Sequence, residues 1–415
     1  MRIRPTHTFI YSVITVIILL GSIELTTRTL SWVSGDGFGL SLHERDPYDR
    51  RVTDLYQWHP FTGFIFEPGI TFLGSHPNQR SKAEIHVDSY GFLAKGDQGL
   101  AYDKPGNEIR IACVGGSTTA NINLEYSKNW PGHLGHLIQS DFPHKSVRVI
   151  NGGTPGFDTA QSIPNLALRM MPFKPDIVII YHAYNDLKAI RLDRPFRKDY
   201  SHLHETPYGF HEKPHFLTDL LNKSMFYVRI RNAYRRHKHV ADKPTPSRDY
   251  PKGQERFSSV PQEALETFQQ NIRTLVSIAH AGGAEVILST FATLHDPKWD
   301  WSTPETLNLM SSYQKKNLTG LTQFIPGLTL KGIFDGLSQY NTVLREIAVQ
   351  EKCALVDNAH LIPHEDPYFV DRVHFSDLGA KQMAENLYPT VVKLLRNANV
   401  PKHEGRQAVE KRETL

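Results

Sequence analysis

"IRIACVGGSTTANIN", residues Ile109 to Asn123, is the stretch whose reading decides the fold. An apolar, strand-like run leads into two glycines, a serine and two threonines. A short apolar run bounded by turn residues fits a strand buried on both faces, the kind found in parallel sheets covered by helices on either side. Glycine lets the chain leave such a strand in a sharp turn, which here leaves the Ser117 hydroxyl at the edge of the sheet. Two readings stand: a turn whose serine caps the next helix, or a serine presented for chemistry.

Outward from this stretch the pattern repeats. Apolar runs at 147–150, 177–181, 285–289 and 354–356 read as four more strands. Helix-period segments lie at 130–140, 161–171, 264–281, 337–350 and 377–397. The alternation predicts an α/β protein, a three-layer α/β/α sandwich with a five-stranded, mostly parallel sheet, over a main domain of residues 108–398. Two segments interrupt the rhythm, about 191–261 and 294–331, and both follow strand ends. Ligands of open α/β sheets bind beyond the carboxyl ends of the strands, so these insertions are expected to shape or cover a site. Residues 28–107 form an N-terminal extension rich in aromatics, Pro and Gly, in which "AEIHVDSYGF" (83–92) reads as a short strand and turn. Residues 399–415 hold too little apolar content to pack and are expected to be disordered.

The N-terminus has a different character. Arg2 and Arg4 precede an uncharged apolar run, Phe9 to Ile23, which Glu24 and Arg28 close. Fifteen helical residues cover about 22 Å, short of the ~30 Å hydrocarbon core, so a cleaved signal segment competes with a spanning helix. No alanine occurs before Ala83, which leaves out an A-x-A cleavage site, and Leu25 to Thr27 can lengthen the helix. An uncleaved anchor over 9–27 is therefore expected, with residues 1–8 cytoplasmic and the rest of the chain extracytoplasmic.

Composition narrows the partners. The chain has 415 residues, 40% of them hydrophobic, and a formal charge of +4. The basic run "RIRNAYRRHKHVADK" (229–243) lacks a nucleic-acid fold signature and reads as a solvated surface, an anionic membrane or polysaccharide being the other reading. Cys113 and Cys353 sit in strand-like runs and are expected to be core residues, with neither a disulfide nor a metal site.

Four strand-end segments carry chemistry when taken together: Gly115-Gly116-Ser117; "INGGTPGFDT" (150–159); "YHAYND" (181–186), which ends on Asn185 and Asp186; and "VDRVHFSDLGA" (370–380), with Asp371 and His374. Each alone is weak, since a strand followed by G-G-S is a common turn and a lone D-x-x-H is commonly surface. All parallel strands, however, end on one edge. The segments then supply a hydroxyl nucleophile, backbone N–H groups at glycines, an amide, and an imidazole with a carboxylate beside it, the inventory for acyl transfer.

At these four blocks, over about 108–187 and 264–395, the chain resembles the SGNH hydrolase superfamily, the GDSL-type esterases and lipases with a flavodoxin-like fold. The resemblance implies Ser117 as nucleophile, Asp371 and His374 as its partners, and Ser117, Gly156 and Asn185 as oxyanion donors. It also implies an acyl or acetyl ester substrate on a glycan, lipid or small molecule, with no cofactor and no metal. "GGSTT" replaces G-D-S-L, and Ala183 stands where the third block favours glycine. An acyltransferase using the same residues, and a binding module that has kept the fold, are the alternatives.

Overall fold

The computed structural model describes residues 5–34, 38, 55–74, 82–96, 99–193, 195–204, 220–221, 223–241 and 255–398. The expected tail over 399–415, and Arg2 and Arg4, lie outside the described residues. The chain divides into two compact units, one of residues 1–57 with 204–250 and the other of 58–203 with 251–415.

In the larger unit, two short strands, β1 (Tyr56–His59, of which Trp58 and His59 belong to this unit) and β2 (Gly63–Phe66), precede β3 (Thr71–Gly74), β4 (Ala83–Val87) and β5 (Leu93–Ala94). Then follow β6 (Glu108–Gly115), β7 (Ser146–Asn151), β8 (Ile177–Tyr181), β9 (Glu285–Ser289) and β10 (Ala354–Val356). The last five strands are the five apolar runs of the sequence, and they pair in parallel in the order β10-β9-β8-β6-β7. The sheet does not stop at five. It continues through β5, β4 and β3, all antiparallel, to eight strands. β4 is the short strand read at 83–92, whereas β3 and β5 escape a search for apolar runs for a physical reason: β5 is two residues long, and β3 alternates exposed with buried positions because one face meets water.

β8 is buried at every position, and Ile111 to Val114 of β6 are wholly buried. Arg110 interrupts this apolar strand at 1% exposure, its Nε bonded to Glu108 at 2.5 Å and its Nη1 to the Phe173 carbonyl at 2.6 Å. The Trp130–Asp141 and Asp377–Ala398 helices pack together, and the Gln262–Ala281 helix packs with Leu330–Gln350. The 161–171 helix is observed as three pieces, an α-turn at Thr159–Pro164, a π-turn at Asn165–Met170 and a 3-10 turn at Met171–Phe173. Pro164 explains the break, since it has no N–H to continue an i→i−4 ladder. The 337–350 helix begins seven residues earlier, at Leu330, where Thr329 caps it by accepting from the Gly332 N–H at 3.0 Å.

Chain order and spatial order together locate the functional edge. The chain leaves β6, pairs β7 on one side of it and then returns to pair β8 on the other. That reversal creates a crevice at the carboxyl end of β6, the place where open α/β sheets bind ligands.

In the smaller unit the Pro5–Val33 helix holds one stretch, Phe9–Val33, long and apolar enough to cross a membrane, with mean hydropathy 2.0; its most apolar part is unburied, while Ser31 near its end is buried. Past the apolar run it meets the Met225–Ala241 helix. The Glu24 carboxylate accepts from Ser224 Oγ at 2.7 Å and from the N–H groups of Met225 and Phe226 at 2.8 and 3.1 Å. A carboxylate there satisfies orphan donors and faces the positive end of the helix dipole. The basic run thus lies largely on a helix with a packed side, on which Met225 and Val228 are buried.

Candidate active site

The residues named from the sequence meet at the carboxyl edge of β6. Ser117 opens the short Ser117–Ala120 helix, and Gly116, not Ser117, holds the capping position, without a side-chain cap bond. The serine hydroxyl is therefore not consumed as a cap. The turn is pinned beneath by Trp130, wholly buried, whose Nε1 donates to the Thr118 carbonyl at 3.1 Å.

His374 Nε2 lies 2.8 Å from Ser117 Oγ, and its Nδ1 lies 2.7 Å from Asp371 Oδ2. The other carboxylate oxygen of Asp371 accepts from the N–H groups of Val373 and His374 at 2.8 and 2.7 Å. The three-residue spacing therefore folds back on itself, and one carboxylate fixes both the loop and the ring. An imidazole whose Nδ1–H is held by a carboxylate presents Nε2 as an acceptor.

Gly156 has φ +89°, a conformation that disfavours any residue with a β-carbon. Its N–H has no backbone acceptor among the described residues, and neither has that of Ser117, at the first turn of its helix. Asn185 Nδ2 donates to the Phe157 carbonyl at 2.8 Å and keeps a second N–H. Asn185 forms no side-chain cap on the 3-10 turn that follows it. Ala183, in place of the expected glycine, fits without a positive φ and is 1% exposed. A shallow cleft over Ser117 is lined by Gly116, Asn185, Tyr184 and Phe291.

Three internal contacts around the site were not legible in the sequence. Asn123 Nδ2 donates to the Phe375 carbonyl at 3.0 Å and so ties the serine turn to the histidine loop. Asp158, which reads as a turn residue, is 1% exposed and caps the Thr159–Pro164 helix by accepting from the Gln161 N–H at 3.0 Å. Asp186 is fully buried and accepts from both the N–H and the hydroxyl of Thr159, which in turn accepts from Asn271 at 2.9 Å. Burial, with the Asp158 carboxylate nearby, raises the Asp186 pKa well above the usual carboxylate range. Burial likewise lowers His182 to about 4, and its Nε2 lies 2.8 Å from Ser162 Oγ, so it is a neutral internal residue. Tyr181 is core, its hydroxyl accepting from the Ala292 N–H at 3.2 Å.

Solved structures similar to the chain include the lipase/acylhydrolase from Enterococcus faecalis, at 16% identity over 68% of this chain and 95% of that chain with TM-score 0.36. They also include an acetyl-xylooligosaccharide esterase from Geobacillus Stearmophilus, at 15% identity over 70% and 95% with TM-score 0.38. A third is an alpha/beta hydrolase enzyme from the metagenome of Lake Arreo, Spain, at 14% over 71% and 98% with TM-score 0.39. No curated protein sequence matches the chain. The family model of the GDSL-like Lipase/Acylhydrolase family matches residues 113–382, from the last turns of β6 through the His374 loop into the final helix. A match over more than half of its length, spanning all four blocks, makes the chain a member of the GDSL-like lipase/acylhydrolase family.

Proposed function

We propose that the chain is a membrane-anchored serine esterase that hydrolyses an acyl or acetyl ester through an acyl-enzyme at Ser117. The observation that carries this reading is the His374 ring, with Nε2 2.8 Å from Ser117 Oγ and Nδ1 2.7 Å from Asp371. In this mechanism Oγ attacks the ester carbonyl as Nε2 takes its proton, and Asp371 steadies the resulting imidazolium without becoming protonated. The tetrahedral oxyanion is held by the N–H groups of Ser117 and Gly156 and by the free N–H of the Asn185 amide. Collapse breaks the bond to the alcohol, which leaves with the proton from Nε2, and water then repeats the sequence to release the acid.

The Phe9–Val33 stretch serves as the anchor in this reading, and the basic residues ahead of it hold the N-terminus inside and send the catalytic unit across. An envelope polysaccharide, a lipid or a small ester is then within reach. A fluorophosphonate probe tests the core claim. It should label the wild-type chain and not Ser117→Ala, with circular dichroism unchanged. Persistent labelling of the alanine variant overturns the reading.

A further inference from the structure

The Tyr184 wall of the cleft extends away from Ser117 as a row of near-parallel rings. Tyr184 stacks on Phe291 at 6.2 Å and 7°, and on Phe324 at 5.6 Å and 17°. Phe324 comes from the 294–331 insertion and is 46% exposed. Two cations sit over this one ring, Lys188 Nζ at 4.3 Å from its centroid and the Arg372 guanidinium at 5.9 Å. Ring quadrupoles attract cations, but bringing two like charges to one exposed ring costs energy unless an anion is held between them.

No carboxylate among the described residues comes within ion-pair distance of either cation. The nearby acids have hydrogen-bond partners of their own, although Asp158 and Asp186 still act on Lys188 through space. Asp371 serves His374, and Asp366 accepts from Ser311 Oγ at 2.8 Å. Asp158 caps a helix, and Asp186 is bound to Thr159. Lys188 is held to a pKa of about 8 by burial and so stays charged at neutral pH. Both cations thus stand at one exposed ring beside the cleft, and neither is closed off in an ion pair among the described residues.

We propose that Lys188, Arg372 and Phe324 form a subsite for a carboxylate on the alcohol side of the ester, so that the substrate is an O-acylated acidic glycan whose uronate ring lies on Phe324. This rests on the reading of Ser117 as the nucleophile and adds to it the class of substrate. The flat ring series suits the C–H-rich face of a sugar, and the paired cations suit its carboxylate. A lipid acyl chain would call for an apolar channel, and the cleft over Ser117 is lined by Thr118, His182 and Asn185 beside its rings.

Two measurements on the full chain in detergent test the proposal. Calorimetric titration of the Ser117→Ala chain with oligogalacturonate, cello-oligosaccharide and inorganic phosphate reads the subsite without any turnover. Binding of the acidic oligomer at least about tenfold tighter than the neutral one is expected, weakened by salt, and lost in Lys188→Gln/Arg372→Gln. Equal binding of the two oligomers, or phosphate binding as tightly as the acidic oligomer, overturns the carboxylate subsite. The second measurement compares kcat/KM for acetylated oligogalacturonate with that for an acetylated neutral oligomer. The preference for the acidic substrate should fall at least about tenfold in Arg372→Gln and return in part in Arg372→Lys. An unchanged preference overturns the proposal. Absence of turnover together with selective acidic binding would instead strike at the esterase reading and leave the subsite standing.

Discussion

Asn185 Nδ2 lies 2.6 Å from the point where a β-carbon on Gly116 would sit, and the Phe157 carbonyl lies 3.0 Å from it. The glycine before the serine is thus the socket into which the amide packs. Gly116→Ala should displace Asn185 and lower kcat on a p-nitrophenyl ester by about a hundredfold, close to the loss from Asn185→Ala. The double variant should lose little more than either. Wild-type turnover in Gly116→Ala would mean that the amide takes no part in the reaction.

Ser117, His374 and Asp371 should behave as one unit. His374→Ala is expected to cost nearly as much kcat as Ser117→Ala, and the pair no more than one, while Asp371→Ala costs less. Single-turnover kinetics on one ester decides this, and multiplicative losses for Ser117 and His374 would argue for independent roles.

Asn123 joins two loops that lie 252 residues apart in the chain. Asn123→Ala should lower stability by about 1–3 kcal/mol, the cost of leaving a buried acceptor unpaired. It should also slow turnover, because the distance from Nε2 to Oγ depends on that tie. Thermal melts and kcat on the same preparation check both effects, and a stability loss with intact kcat would confine Asn123 to a structural part.

The buried Asp186 makes a prediction about pH. Its folded pKa is raised by burial, whereas an unfolded chain loses that proton near pH 4. Between those values the folded state binds a proton that the unfolded state does not, so stability falls as pH rises through the window and levels off above it. Asp186→Asn keeps the acceptor for Thr159 and removes the slope. From about pH 5 to about pH 8 the variant should gain on the wild type by at least about 1.4 kcal/mol, the worth of one pK unit. Parallel stability curves in chemical denaturation would show that the carboxyl is ionised in the folded protein just as in the unfolded chain.

The parallel part of the fold was legible because a strand buried on both faces has to be written in apolar residues, as at Ile177–Tyr181. Arg110 did not hide β6, since its charge is answered inside the protein by Glu108 and by a carbonyl. The strands at Thr71–Gly74 and Leu93–Ala94 were not legible as members of the sheet, because so short a stretch with one wet face carries little pattern. At the site, Ser117, Asn185, Asp371 and His374 stood out because turn chemistry and strand ends mark them locally, whereas Gly156 was told from its neighbouring glycines only by the family resemblance. Asn123, Asp186 and Phe324 did not, because each acts on a partner far away in the chain, and only packing reveals such a pairing.

The cap that Glu24 places on the Met225–Ala241 helix bears on how the chain is made. About two hundred residues must leave the ribosome before the helix that Glu24 completes exists, and until then the carboxylate has only local partners such as Arg28, one turn on in its own helix at 2.7 Å. A peptidase that trimmed the chain beyond Glu24 would strip away the group that quiets the first N–H donors of a later helix. Maturation of the N-terminus and folding of the 225–241 segment are thereby tied to a single carboxylate.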